Sequence, residues 1–240
     1  MNKFTMTIIV LLVGLSVLVY ALSQGGAQPN VSDQERADIL AIQADDHVAG
    51  NRDADVVLVE YVDFECPACA SYHPIVQQVK EQYGDEVAIV TRHFPLSIHP
   101  NSRTSAWAAE AAANQGKFDE MADMMFTRQS EWSGKVANVA LFEPYARELE
   151  LDMEQFRADA TSEQVQARVE ADLEESRTLG LNSTPTFFLQ SERLQAGNLQ
   201  EFVAAIESAI EEANNPAEEA TTTDDSLSTT TQASTTATSS

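Results

Sequence analysis

Apolar residues fall into three kinds of run along this chain, and each kind predicts a different element. One stretch, Phe4 to Leu22, has 19 residues without a charge. As a helix it would reach about 28 Å, close to the ~30 Å of a bilayer core. Short runs rich in β-branched and aromatic residues, Val56–Val62, Val87–Val90 and Thr186–Leu189, have strand length. The first is apolar on both faces apart from Glu60, which predicts the middle of a sheet. A third set recurs at helical spacing: Ser102–Asn114, Phe118–Arg128, Leu141–Leu149, Met153–Ala160, Glu163–Leu179 and Leu199–Glu212. Ser32-Asp33-Gln34-Glu35 reads as a capping box before Ile39, Leu40 and Ile42, so a short helix is expected there. Asp45 to Asn51 reads as turn. Gln190 to Ala196 reads as a turn and a returning strand, without the Asn-Gly of a tight hairpin.

The order of these elements sets the architecture. A helix from the cysteines through Tyr72–Tyr83, with Pro74 inside it and Gly84-Asp85 at its end, crosses between Val56–Val62 and Val87–Val90. Those two strands are then parallel, and the chain is α/β. The helical block at about 97–180 is too long for a loop and is read as an inserted helical subdomain. Met121, Met124, Met125 and Phe126, with Trp107, read as its core, the alternative being an adaptable substrate groove. Segment 1–22 is expected to be a membrane anchor, or else a cleaved signal with Ala21-Leu22-Ser23 as its site, and 23–44 a linker with a short helix. Lys3 before the apolar run, with no basic residue after it until Arg36, leaves the N-terminus inside and the domain, 45–213, outside the cytoplasm. Segment 214–240, acidic and rich in Thr and Ser, cannot bury enough surface to order itself.

Charge and composition then narrow the chemistry. A net charge of −24, from 14 basic against 38 acidic residues, argues against nucleic-acid or anionic-membrane binding and leaves proteins or small thiols as partners. The only two cysteines stand in Cys66-Pro67-Ala68-Cys69, directly after a strand and at the start of a helix. Positions i and i+3 share a helical face, so a disulfide closes with little strain. Free N–H groups at the helix start favour a thiolate, which makes Cys66 the nucleophile and Cys69 the resolving thiol. The same spacing can be half of a zinc site, but only His47, His73, His93 and His99 remain as partners, in no pair with ligand spacing. Neither a metal nor a cofactor is expected: there is no glycine-rich phosphate loop and no C-x-x-C-H.

Taken together, Asp46-His47-Val48-Ala49-Gly50-Asn51, Glu60 to Cys69, Arg92-His93-Phe94-Pro95-Leu96, Gln115-Gly116-Lys117-Phe118 and Thr184-Pro185-Thr186-Phe187-Phe188 give a chain that resembles the DsbA-like branch of the thioredoxin superfamily. The resemblance implies a thioredoxin-like fold carrying the helical insertion, with Pro185 cis and facing the cysteines. It implies that Thr184 offers its backbone to an extended substrate, that Pro67 and Ala68 contact that substrate, and that Glu60 is the buried acid beneath the disulfide, able to take the proton of Cys69. One departure is that position 68 carries no histidine, so one source of thiolate stabilisation is missing. The expected activity is disulfide donation to unfolded or folding exported proteins, with reoxidation by a membrane redox partner. The alternatives are a reductase or isomerase of the same fold and a non-enzymatic surface or metal-binding module.

Overall fold

In the computed structural model, which describes residues 31–215, the Ser32 hydroxyl accepts a hydrogen bond from the Glu35 amide and starts α1 (Asp33–Leu40). The anchor or signal expected over 1–22 lies outside the described residues, as does the tail expected from 214 apart from Asn214 and Asn215. No helix of the described residues is long and apolar enough to cross a membrane.

After α1 come β1 (His47–Gly50), β2 (Val56–Val62), α2 (Pro67–Tyr83) and β3 (Val87–His93). The sheet order is β1-β3-β2-β4-β5, where β4 is Thr186–Leu189 and β5 is Glu192–Leu194. As its apolar faces predict, β2 is central; it pairs parallel with β3 and antiparallel with β4. β1 corrects the reading of Asp45–Asn51 as turn. Four residues ending in Gly50 carry little strand signal, but their amides pair antiparallel with β3 from His47–Thr91 to Gly50–Ala88.

The hairpin joining β4 to β5 forms without Asn-Gly. Gln190 and Ser191 both take positive φ, 49° and 66°, as a two-residue turn of that hand requires. The Gln190 side chain offsets the strain by accepting from the Val57 amide at 3.1 Å and donating to the Asp55 carbonyl at 2.9 Å. Arg36 Nε of α1 donates to the Ser191 carbonyl at 3.0 Å.

The insertion contains α3 (Ser102–Ala113), α4 (Phe118–Thr127), the short α5 (Gln129–Trp132), a 3-10 turn at Val139–Phe142, α6 (Glu143–Glu148), α7 (Met153–Asp159) and α8 (Glu163–Thr178). Helix α9 (Leu199–Asn214) ends the described chain and buries Phe202, Ile206 and Ile210 against the sheet. Met121 and Met125 are fully buried and Met124 nearly so; these methionines are core rather than a groove. That same core includes Phe64, Cys66 and Cys69, so the insertion packs directly against the redox pair.

Candidate active site

β2 leads out of the sheet into the turn Asp63-Phe64-Glu65, and α2 begins at once with Cys66 as its N-cap and Pro67 in its first turn. Proline is well tolerated there because that amide has no helical partner. Pro74, deeper in α2, removes one amide donor from a helix that continues to Tyr83. Cys66 is 7% exposed and Cys69 fully buried, while Pro67 and Ala68 between them are exposed. Both cysteines are free thiols in this structure.

The peptide bond between Thr184 and Pro185 is cis, and Cys66 Sγ donates to the Thr184 carbonyl at 3.4 Å. The loop before β4 therefore lies against Cys66. Hydrogen bonding from the Cys69 thiol is the main cause that lowers Cys66 to a pKa of about 5, with the Thr184 side chain and the Cys69 and Ala68 amides adding to it against the effect of burial. The Thr184 hydroxyl is buried and has no hydrogen-bond partner among the described residues, so its proton is free to turn to that thiolate.

Burial pushes the Cys69 thiol far up, and its bond to Cys66 adds to the rise. Glu60 is 5% exposed, with no hydrogen bond or ion pair to its carboxylate among the described residues, and burial raises it to about 8. Its charge is felt at Cys69. At neutral pH this acid is mostly protonated.

Two further acids, which sequence reasoning assigned no role, frame the turn. Asp63 accepts from the Glu65 amide at 2.8 Å, the Leu96 amide at 3.0 Å and His99 Nδ1 at 2.7 Å. The Glu65 carboxylate accepts from the Asn101 amide, from Asn101 Nδ2 at 3.4 Å, Ser133 Oγ at 3.3 Å and the Gly134 amide at 2.7 Å. Gln129 Nε2 closes the same collar by donating to the carbonyls of Phe64 at 2.8 Å and Cys66 at 3.0 Å. The available signal was two acids flanking Phe64 in an otherwise apolar approach to the cysteines.

Chemically, the arrangement offers one activated sulfur, one protonated sulfur, an acid beside the second, and an extended backbone next to the first. Beside it, a cavity of about 610 Å³ is lined by Tyr72, Pro185, Phe187, Arg193, Leu194 and Phe202, among others.

Compared with known proteins, the chain matches the family described as Thioredoxin over residues 43–208. It is 42% identical over 153 residues to the Na(+)/H(+) antiporter NhaA 1 of Mycobacterium sp. (strain KMS), covering 62% of this chain and 24% of that protein. Against the Na(+)/H(+) antiporter NhaA of Herminiimonas arsenicoxydans it is 41% identical over 161 residues, covering 67% of this chain and 25% of the relative. The chain thus spans about a quarter of the length of these curated relatives. Among solved structures, alpha-DsbA1 of Wolbachia pipientis aligns with a TM-score of 0.68 at 19% identity, covering 75% of this chain and 98% of that one, a likeness of fold alone. A thioredoxin-like oxidoreductase from Silicibacter pomeroyi DSS-3 aligns with a TM-score of 0.62 at 28% identity, covering 74% and 97%.

Proposed function

The chain belongs to this thioredoxin family, and from that premise we propose that it is a DsbA-like thiol-disulfide oxidoreductase that works outside the cytoplasm as a disulfide donor to exported proteins. The feature that carries the direction is the contrast between the sulfurs: the Cys69 thiol beside it lowers Cys66 to a pKa of about 5, whereas burial pushes Cys69 far up. Stabilising the Cys66 thiolate favours the reduced pair, so the disulfide is readily handed on.

In the proposed cycle the oxidised pair meets a substrate thiolate, which attacks Cys66 Sγ. The substrate–Cys66 bond forms, the Cys66–Cys69 bond breaks, and the electron pair leaves on Cys69. Burial disfavours that anion, and Glu60, protonated near neutral pH, supplies the proton. A second substrate thiolate then attacks the substrate's own sulfur in the mixed disulfide. Cys66 leaves as a stable thiolate, and the substrate holds the disulfide. Each turnover moves two electrons to the protein, which an external redox partner at the membrane must remove. Thr184 holds the substrate as an added strand beside exposed Pro67 and Ala68.

Support for the location is the uncharged Phe4–Leu22 run with Lys3 before it, together with a chain whose only cysteines are this pair. Equilibrating the purified protein against glutathione buffers tests the direction. A donor stays largely reduced where glutathione is mostly reduced. A disulfide that resists glutathione would overturn donation and favour the reductase reading.

A further inference from the structure

Sequence spacing gave the histidines no shared role, yet the fold brings two of them to one carboxylate. His47 opens β1, His93 ends β3, and Glu110 lies on α3 of the insertion. His47 Nε2 lies 2.7 Å and His93 Nε2 2.6 Å from the same oxygen, Glu110 Oε1. One donor atom from each of the three falls within 4.8 Å of the others. His93 and Glu110 are buried and His47 is nearly so.

We propose that His47, His93 and Glu110 form a binding site for a divalent cation of the zinc class, separate from the cysteine pair. Two imidazoles and one carboxylate suit a borderline-soft ion, and three protein ligands leave a fourth position for water. Two features of the surroundings support this. The His47 ring stacks flat on Phe118, with centroids 3.6 Å apart and 10° between planes, so its nitrogen is aimed before any ion arrives. Beside the cluster, His47 and Glu110 line a cavity of about 450 Å³ together with Asp45, Asn114, Gln164 and Arg168. That space supplies an entry path and room for the fourth ligand.

A hydrogen-bonded triad is the competing state of these three side chains, and it must give way for an ion to enter. In that state each imidazole directs an Nε2 proton at Glu110. The buried Nδ1 of His93 has no hydrogen-bond partner among the described residues, so the bond to Glu110 alone holds this ring in that tautomer. On binding, each ring's proton moves from Nε2 to Nδ1, the freed Nε2 lone pairs and Glu110 coordinate the ion, and no electrons move. A bound ion would join two sheet strands to the insertion directly behind Phe64, whose ring lies 5.9 Å from that of His93.

The test uses the full chain without an affinity tag, with Cys66 and Cys69 oxidised so that thiols cannot bind metal. After chelator treatment, zinc is titrated by calorimetry and counted by elemental analysis; cobalt(II) then serves as an absorption probe of ligand type. The expected result is one equivalent of zinc and a tetrahedral, nitrogen- and oxygen-ligated cobalt spectrum. Both should be lost in Glu110→Gln and in His47→Asn, each of which can be shown to be folded by circular dichroism. Zinc binding that persists in the His47→Asn/Glu110→Gln double variant would mean an adventitious ion only on this acidic surface. That outcome, or no binding by the parent chain, overturns the proposal.

Discussion

The floor and the collar of the cysteine site both contain buried acids, but they treat them in opposite ways. On the floor, Glu60 sits in the central strand with no partner among the described residues, and burial leaves it mostly protonated at neutral pH. In the collar, Asp63 and Glu65 each accept several hydrogen bonds from loops of the insertion. An unpartnered buried acid is costly to the fold and ready to exchange a proton. A fully bonded one holds structure in place. The site is therefore divided between a reactive floor and a rigid rim.

The largest effect should come from the sulfurs themselves. Cys66→Ser is expected to abolish exchange, whereas Cys69→Ser should retain the nucleophile and accumulate mixed disulfides, visible on non-reducing gels. Trapping by a Cys66 variant instead would reverse their roles.

Glu60→Gln sharpens the contrast, because rate and stability should move in opposite directions. Loss of the proton donor should slow exchange by about a hundredfold and remove any limb of the pH–rate profile near 8. A folded-state pKa raised from 4.5 to about 8 gives stability that is fully present below 4.5 and is lost as pH rises through 8. Chemical denaturation at pH 8 to 9 should therefore find the glutamine variant more stable than the parent, with the gap closing toward pH 4. Unchanged kinetics would leave Glu60 a merely buried residue.

Glu65→Ala tests the rim. It strands the Asn101 amide in a buried site and frees the Gly134 amide at its edge, and a loss of roughly 2 kcal/mol is expected. Denaturant melts would show it, and a neutral result would mean that water replaces the carboxylate without cost.

The smallest effect is expected from Thr184→Val. Removing the hydroxyl should raise the Cys66 pKa modestly, because Cys69 is the larger cause. Thiolate absorbance against pH reads this directly, and an unaltered titration would remove Thr184 from the thiolate's support.

The legible parts of this molecule were those with local signals. β2, β3 and β4 are apolar runs, α2 is marked by the cysteine motif, and α9 by one apolar stripe. Cys66 and Cys69 were visible as the only cysteines in the chain. The cis bond at Pro185 became an expectation only through the family resemblance, which the fold bears out. What escaped is what depends on distant partners. β1 exists because β3 offers an edge, and α5 is one four-residue turn after α4. Asp63 and Glu65 look like ordinary acids until loops some 30 to 70 residues away reach them. His47, His93 and Glu110 have no spacing that announces a meeting, because three separate elements deliver them.

In the proposed role the protein would meet unfolded chains and have reason to guard against sticking to them, and the margins of this sheet bear on that risk. One edge is β5, three residues long, with Glu192 and Arg193 in it and its turn held by Arg36. The other is β1, four residues long and ending at a glycine. Short, charged edges give a passing strand little to pair with. The backbone just ahead of β4, at Thr184, is different: it lies beside the reactive sulfur. A client that zips onto the protein there must do so next to Cys66, which makes adhesion and chemistry coincide and discourages edge-to-edge aggregation elsewhere on the sheet.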